Sequence, residues 1–140
     1  MRLALALPFA IAGLLSSGGA ALACSCVPQR SAAEQLASAD FVFKGRPLEE
    51  TATGVFTAAT SFRVFEVLKG PEVRLTVVRH HVDSAACGLT FRPGQTVLVF
   101  ASRAPDGTWR TGSCSGAAFP EAEYRRAARG QPVPIRPPVL

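Results

Sequence analysis

Beyond a nearly unbroken apolar run, Leu3 to Leu15, the chain alternates short apolar bursts with turn-forming residues. Ser31-Ala32-Ala33-Glu34 fits a capping box, so a short helix is expected from Ala32 to Ser38, ending at Asp40. Phe41 to Arg46 is rich in aromatic and branched residues and reads as a strand. Glu49 to Gly54 is polar and reads as a hairpin connection. Phe56 to Leu68 is a second strand, long enough to bend or carry a bulge. Lys69-Gly70-Pro71 is a turn by composition. Val73 to Val78 is a third strand, followed by a loop from His80 to Ala86 that ends at Cys87-Gly88. Phe91 to Gln95 turns the chain into the very apolar strand Thr96 to Ala101. Pro105-Asp106-Gly107 is a further turn, and Thr108 to Thr111 a short last strand. Glu121 to Arg129 reads as a helix with Gly130 at its C′ position. The tail, residues 131–140, holds four prolines and is expected to be extended and poorly ordered. Five short strands with a helix near each end predict an all-β domain, a small Greek-key barrel of the OB type. A β-sandwich is the alternative, but its seven strands are hard to find.

The leading segment changes which residues count towards that fold. Met1-Arg2 supplies a positive charge, Leu3 to Leu15 the apolar stretch, and Ala21-Leu22-Ala23 an Ala-x-Ala cleavage triplet. The apolar stretch is shorter than the roughly 20 residues that span a bilayer. Residues 1–23 are therefore expected to be a signal peptide, with an uncleaved anchor as the alternative. The expected organisation is signal 1–23, one domain 24–130, and the tail 131–140, with no membrane span after cleavage. The chain's net charge of +5 is dispersed and does not by itself argue for nucleic acid.

All four cysteines, Cys24, Cys26, Cys87 and Cys114, follow the cleavage triplet. An even count in an exported chain predicts disulfides. A Cys24–Cys26 ring would be strained. Each cysteine of the Cys-x-Cys unit is therefore expected to reach a distant partner, leaving two pairings open. Each such bridge closes a long loop, worth roughly 4 kcal/mol by chain entropy. A zinc-thiolate centre lacks the paired spacings that such sites use.

Together these residues resemble the netrin-like module, the OB-type barrel of the tissue inhibitors of metalloproteinases. The resemblance rests on Cys24-Ser25-Cys26-Val27-Pro28 at the expected mature terminus, the short helix, and the strand Phe41 to Gly45. It continues in Phe62 to Gly70, a strand ending in a Lys-Gly turn, in Cys87-Gly88 after a loop, and in Cys114 after the last strand. It covers the chain from Cys24 to the proline tail. It implies bridges Cys24–Cys87 and Cys26–Cys114. The animal inhibitors carry a third bridge in this domain, for which this chain has no cysteines.

The resemblance also implies a chemistry. The α-amine and carbonyl oxygen of a terminal Cys24 would chelate the catalytic zinc of a target metalloprotease. Ser25 would enter the specificity pocket, and Cys26, Val27 and Pro28 would follow the cleft. Ala85 and Ala86, drawn beside Cys24 by its bridge, would form a second contact edge. The expected protein is thus a secreted or periplasmic metalloprotease inhibitor, a monomer, with no cofactor and no metal of its own. One alternative is a non-inhibitory netrin-like module for adhesion or protein binding at the cell envelope. Another is a lipoprotein anchored through Cys24, although Ala21 stands where such signals usually place leucine.

Other residues point to less. His80-His81 are adjacent, so on a strand end they face opposite sides and rarely share an ion. They are expected to be a solvated loop pair. Trp109 is expected in the core or at the barrel rim, and Glu49-Glu50 in a solvated turn. No serine–histidine–acid order, phosphate loop or carboxylate pair stands out, so an enzyme is not expected. OB barrels also bind oligonucleotides through basic grooves and exposed aromatics. Most phenylalanines here fall in apolar strands, and nucleic acid is not expected as a partner.

Overall fold

The computed structural model describes residues 24–137. The expected signal segment, residues 1–23, lies outside the described residues. Five strands close into a barrel: β1 (Phe41–Ala52), β2 (Thr57–Lys69), β3 (Leu75–His81), β4 (Val97–Arg103) and β5 (Trp109–Arg110). The order around the barrel is β1-β2-β3-β5-β4, and β4 pairs back onto β1. All pairings are antiparallel except the short β3–β5 pair, which is parallel. Helices α1 (Ala32–Ser38) and α2 (Glu121–Ala128) flank the sheet. This is the expected all-β OB-type barrel, stapled by two disulfides.

The apolar run Phe41-Val42-Phe43 is buried on both faces of β1. Phe41 and Phe43 point into the barrel with Phe62, Val78, Val99 and Ala101. Val42 and Phe100 point outward, beneath Ala32, Leu36, Ala39 and Tyr124 of the helical layer. Strand alternation thus feeds two cores at once, which explains why this part of the sequence is continuously apolar. Of the phenylalanines, Phe56 and Phe65 are exposed, while Phe41, Phe43, Phe62 and Phe100 are buried.

β1 runs six residues beyond the expected Arg46. Its register against β2 shifts at three points, including Pro47/Glu49, and pairing then continues to Ala52↔Ala58. Glu49 and Glu50 are therefore strand residues, not the expected solvated turn. Long β2 supplies backbone partners for them; Glu49 is exposed, while the Glu50 carboxylate reaches back to the Thr60 hydroxyl at 3.4 Å and to buried His80. The connection shrinks to residues 53–56, closed by Thr53 N–H donating to Thr57 O at 2.9 Å.

α1 begins at the expected Ser31 N-cap, with Glu34 reaching back one residue further than a capping box does. Ser31 Oγ accepts from Glu34 N–H at 3.1 Å, and Glu34 accepts from Arg30 N–H at 2.7 Å. At the other end, Lys69 Nζ donates to the carbonyls of Leu36, Ala37 and Ala39. The Lys-Gly turn therefore has a physical role: the ammonium satisfies the open carbonyls of α1. Gly70 must follow it, because its φ is +102° and a Cβ would lie 2.8 Å from the Phe41 ring.

Buried polar groups weld the two helices to the segment after Cys114. Tyr124 Oη donates to Gln35 Oε1 and accepts from the N–H groups of Ala118 (2.9 Å) and Phe119 (3.1 Å). Gln35 Nε2 donates to Gly116 O at 2.7 Å.

The tail departs from expectation. Residues 131–137 form neither helix nor strand, yet they are tied down. Arg136 N–H donates to Arg30 O at 2.7 Å, and its guanidinium forks onto Glu123 at 2.6 and 3.1 Å and covers the Phe119 ring. The Glu123 side chain is only 8% exposed, and a carboxylate that buried needs a cation. The need of α2, invisible in the tail's own composition, fixes where the tail runs.

Candidate functional site

The first described residues form a ridge across one end of the barrel. Cys24 bonds Cys87 with a Cα–Cα distance of 5.6 Å, and Cys26 bonds Cys114 at 5.2 Å. The pairing implied by the resemblance is the one present. Ser25, Cys26, Val27 and Pro28 are exposed, Val27 by 79%. Cys24 is half-buried.

The loop that receives Cys24 is built locally. Asp83 caps a single 3-10 turn, Ser84–Ala86, its carboxylate accepting from Ala85 N–H at 3.0 Å. Cys87 then takes a left-handed conformation, φ +57°, with its N–H returned to Ser84 O. Gly88 follows because its N–H meets Asp83 O at 2.8 Å, and a Cβ there would sit 2.5 Å from that same oxygen. The chain doubles back so tightly that Ser84, Ala85 and Ala86 stand exposed beside the Cys24 bridge. Cys24 Sγ is 3.9 Å from Ser84 O and 4.0 Å from Ser113 Oγ.

The two bridge loops are also joined to each other. Ser113 N–H donates to Cys87 O at 2.9 Å, and Ser113–Ser115 forms a second 3-10 turn around Cys114. The structure therefore brings together Cys24, Ser25 and Cys26 with Ala85 and Ala86. Val27 and Pro28 lead away from them towards α1. Sequence reasoning quoted Gly88 only within the Cys87-Gly88 motif and gave Asp83, Gly88 and Ser113 no part in shaping this end. An Asx-turn signal at Asp83 and a glycine directly behind a half-cystine were the available cues.

His80 and His81 close β3 rather than lying in a loop. They do face opposite sides, but they are not a solvated pair. His81 is exposed, while His80 is buried in the barrel. His80 Nε2 lies 2.8 Å from Thr60 Oγ1 and 3.6 Å from Glu50 Oε2, and its Nδ1 is 3.2 Å from His81 O. A carbonyl can only accept, so Nδ1 donates to His81 O, while Nε2 pairs with the Thr60 hydroxyl, which also lies 3.4 Å from Glu50 Oε2. The same His81 carbonyl accepts Leu89 N–H at 2.9 Å, so this buried histidine braces the base of the Cys87 loop. Trp109 is half-buried at the barrel rim, its ring 5.0 Å from Phe41.

Among the described residues no group of three or more His, Cys, Asp or Glu side chains could hold a metal ion, and no helix is long and apolar enough to cross a membrane. Two disulfides and the absence of free cysteine among these residues fit an oxidising compartment. No protein-family model matches the chain, and no curated protein matches it either.

Proposed function

We infer that this chain is a netrin-like module of the metalloprotease-inhibitor type, exported by the segment 1–23 and active with Cys24 as its first residue. The observation that carries the reading is the doubly tied run Cys24–Pro28, half-buried at Cys24 and exposed from Ser25 onward, lying beside Ala85 and Ala86. A terminus held at residues 24 and 26 has little freedom to lose on binding, which favours a wedge over a flexible peptide. A catalytic zinc keeps one open position, normally filled by water. The α-amine and carbonyl of Cys24 fill that position as a chelating pair. Ser25 enters the neighbouring pocket, and Ala85-Ala86 rests on the opposite lip of the cleft.

The amine binds metal only when unprotonated, and a free α-amine titrates near about 7.7–8.0. Zinc competes with a proton, so inhibition strengthens as pH rises through that window. Two measurements test the reading. Amino-terminal sequencing and intact mass of the exported protein should give an unmodified chain starting at Cys24 with two disulfides. A single alanine added ahead of Cys24 should abolish inhibition across a panel of zinc endopeptidases while leaving thermal stability unchanged. Inhibition that survives the extension refutes chelation. A lipid on Cys24, or no inhibition at all from the unextended protein, refutes it in favour of an envelope-bound module.

A further inference from the structure

We propose that a concavity on the outer wall of the barrel, between β2, β3 and β5, is a binding site for a tetrahedral oxyanion of the phosphomonoester class. Its volume is about 430 Å³, and its lining includes Thr57 of β2, Arg79 and His81 of β3, and Arg110 of β5. The sheet register sets these side chains in rows. Thr57 stands opposite His81, and Arg79 stands opposite Arg110. Two like charges directly across a strand pair repel. Such a placement favours an anion between or beside them.

The fold supplies part of that anion. Arg79 Nη1 and Arg110 Nη2 converge on one atom, Asp106 Oδ2, at 3.7 and 3.9 Å. Those separations are too long for hydrogen bonds. Among the described residues neither guanidinium donates to any acceptor, so both keep their donors unspent while sharing one nearby carboxylate oxygen. Asp106 is held elsewhere: its Oδ1 accepts from the Thr108 N–H at 3.0 Å and hydroxyl at 2.6 Å. These bonds, with the arginine charges, keep its carboxyl below the usual range and ionised. It acts as a distant counter-ion, not a partner. An oxyanion in the concavity takes up both forks at true hydrogen-bond distance. The His81 ring adds an N–H, and Thr57 Oγ1, which accepts from Thr53 at 3.1 Å, has its own proton to donate. Among the described residues no carboxylate lines the concavity. Its volume lies in the range of small-molecule sites, about 300–1,000 Å³, so there is room for an organic group beyond the phosphoryl oxygens.

This site is independent of the ridge reading, since it uses none of the ridge residues. Binding is read by isothermal titration calorimetry. Inorganic phosphate and phenyl phosphate are titrated at constant ionic strength, with chloride and acetate as controls. Both phosphates should give saturable changes, the ester binding more tightly; equal affinities would assign the site to free phosphate of the same chemistry. Arg79→Gln and Arg110→Gln should each weaken binding about tenfold. Asp106→Asn keeps the Oδ1 acceptor but removes the competing charge, and should tighten binding several-fold. Arg63→Gln, outside the concavity, should leave it unchanged. A response that chloride reproduces, or wild-type affinity in both arginine variants with their melting temperatures intact, overturns the proposal.

Discussion

Removing either disulfide should cost the same amount, although the loops they close differ by 25 residues in sequence. Taken alone, the Cys24–Cys87 bridge spans 63 residues and the Cys26–Cys114 bridge 88. Chain entropy would value them separately at about 4.3 and about 4.6 kcal/mol. They are not separate. With one bridge intact, the other closes a much shorter circuit: a sequence separation of two from Cys24 to Cys26 and of 27 from Cys87 to Cys114, about 29 in all. That circuit is the same whichever bridge is removed. Each single loss is therefore worth about 3.6 kcal/mol. Losing both should cost about 8 kcal/mol, within the whole stability range of a small domain. The assay is urea unfolding of Cys24→Ser/Cys87→Ser, Cys26→Ser/Cys114→Ser and the four-site variant, followed by Trp109 fluorescence. Both two-site variants should lose equal stability within error, and the four-site variant should be largely unfolded without urea. A difference above about 1 kcal/mol between the two-site variants would refute the linked-loop reasoning.

Four further outcomes follow from the helical layer and its ties. Tyr124→Phe leaves the half-buried Phe119 N–H and the buried Gln35 Oε1 without their Tyr124 partner and should cost about 1–3 kcal/mol in urea unfolding. The hydroxyl of Tyr124, the chain's one tyrosine, is pushed above its ordinary 10.0 by burial, so the unfolded chain ionises first. Stability should be complete below about pH 10 and fall as pH rises towards the folded value, with ultraviolet absorbance tracking the same single group. Lys69→Met removes the ammonium from three carbonyls at the end of α1 and should cost about 1–2 kcal/mol. The Glu66 carboxyl is held low chiefly by its hydrogen bond from Arg125, at 2.9 to 3.2 Å. Its contribution is present above the ordinary carboxylate range and lost as pH falls through the lowered value, so Glu66→Gln should flatten the acid limb of a stability–pH curve.

Most of the barrel was legible because its signals are local. The Ser31–Glu34 cap fixed α1 to the residue, and glycines at 70, 107 and 130 marked places where φ is positive. What was not legible depended on partners far along the chain. β1 continues past Arg46 because β2 is long enough to pair with it, and no property of Glu49-Glu50 announces that. His80 is polar and flanked by polar residues, yet it is buried because strand alternation from Val78 carries it inward, where Thr60 satisfies it. The tail is anchored by one arginine because Glu123 is buried on α2. The oxyanion concavity was likewise hidden, since its charges come from β3 and β5, which pair over only two residues.

The shared circuit also bears on why Cys24 and Cys26 are both bridged. As stabilisers they overlap, because either one shortens the circuit that the other closes. As orienting devices they do not. A chain tied at one residue can pivot about that bond, whereas ties at residues 24 and 26 fix a direction as well as a position. The receiving loops are themselves joined by the Ser113–Cys87 hydrogen bond, and His80 braces the base of one of them through the His81 carbonyl. The barrel thus holds the direction of the Ser25 peptide more firmly than fold stability alone requires. A chelating terminus needs that rigidity, since its two donor atoms must meet one metal position together.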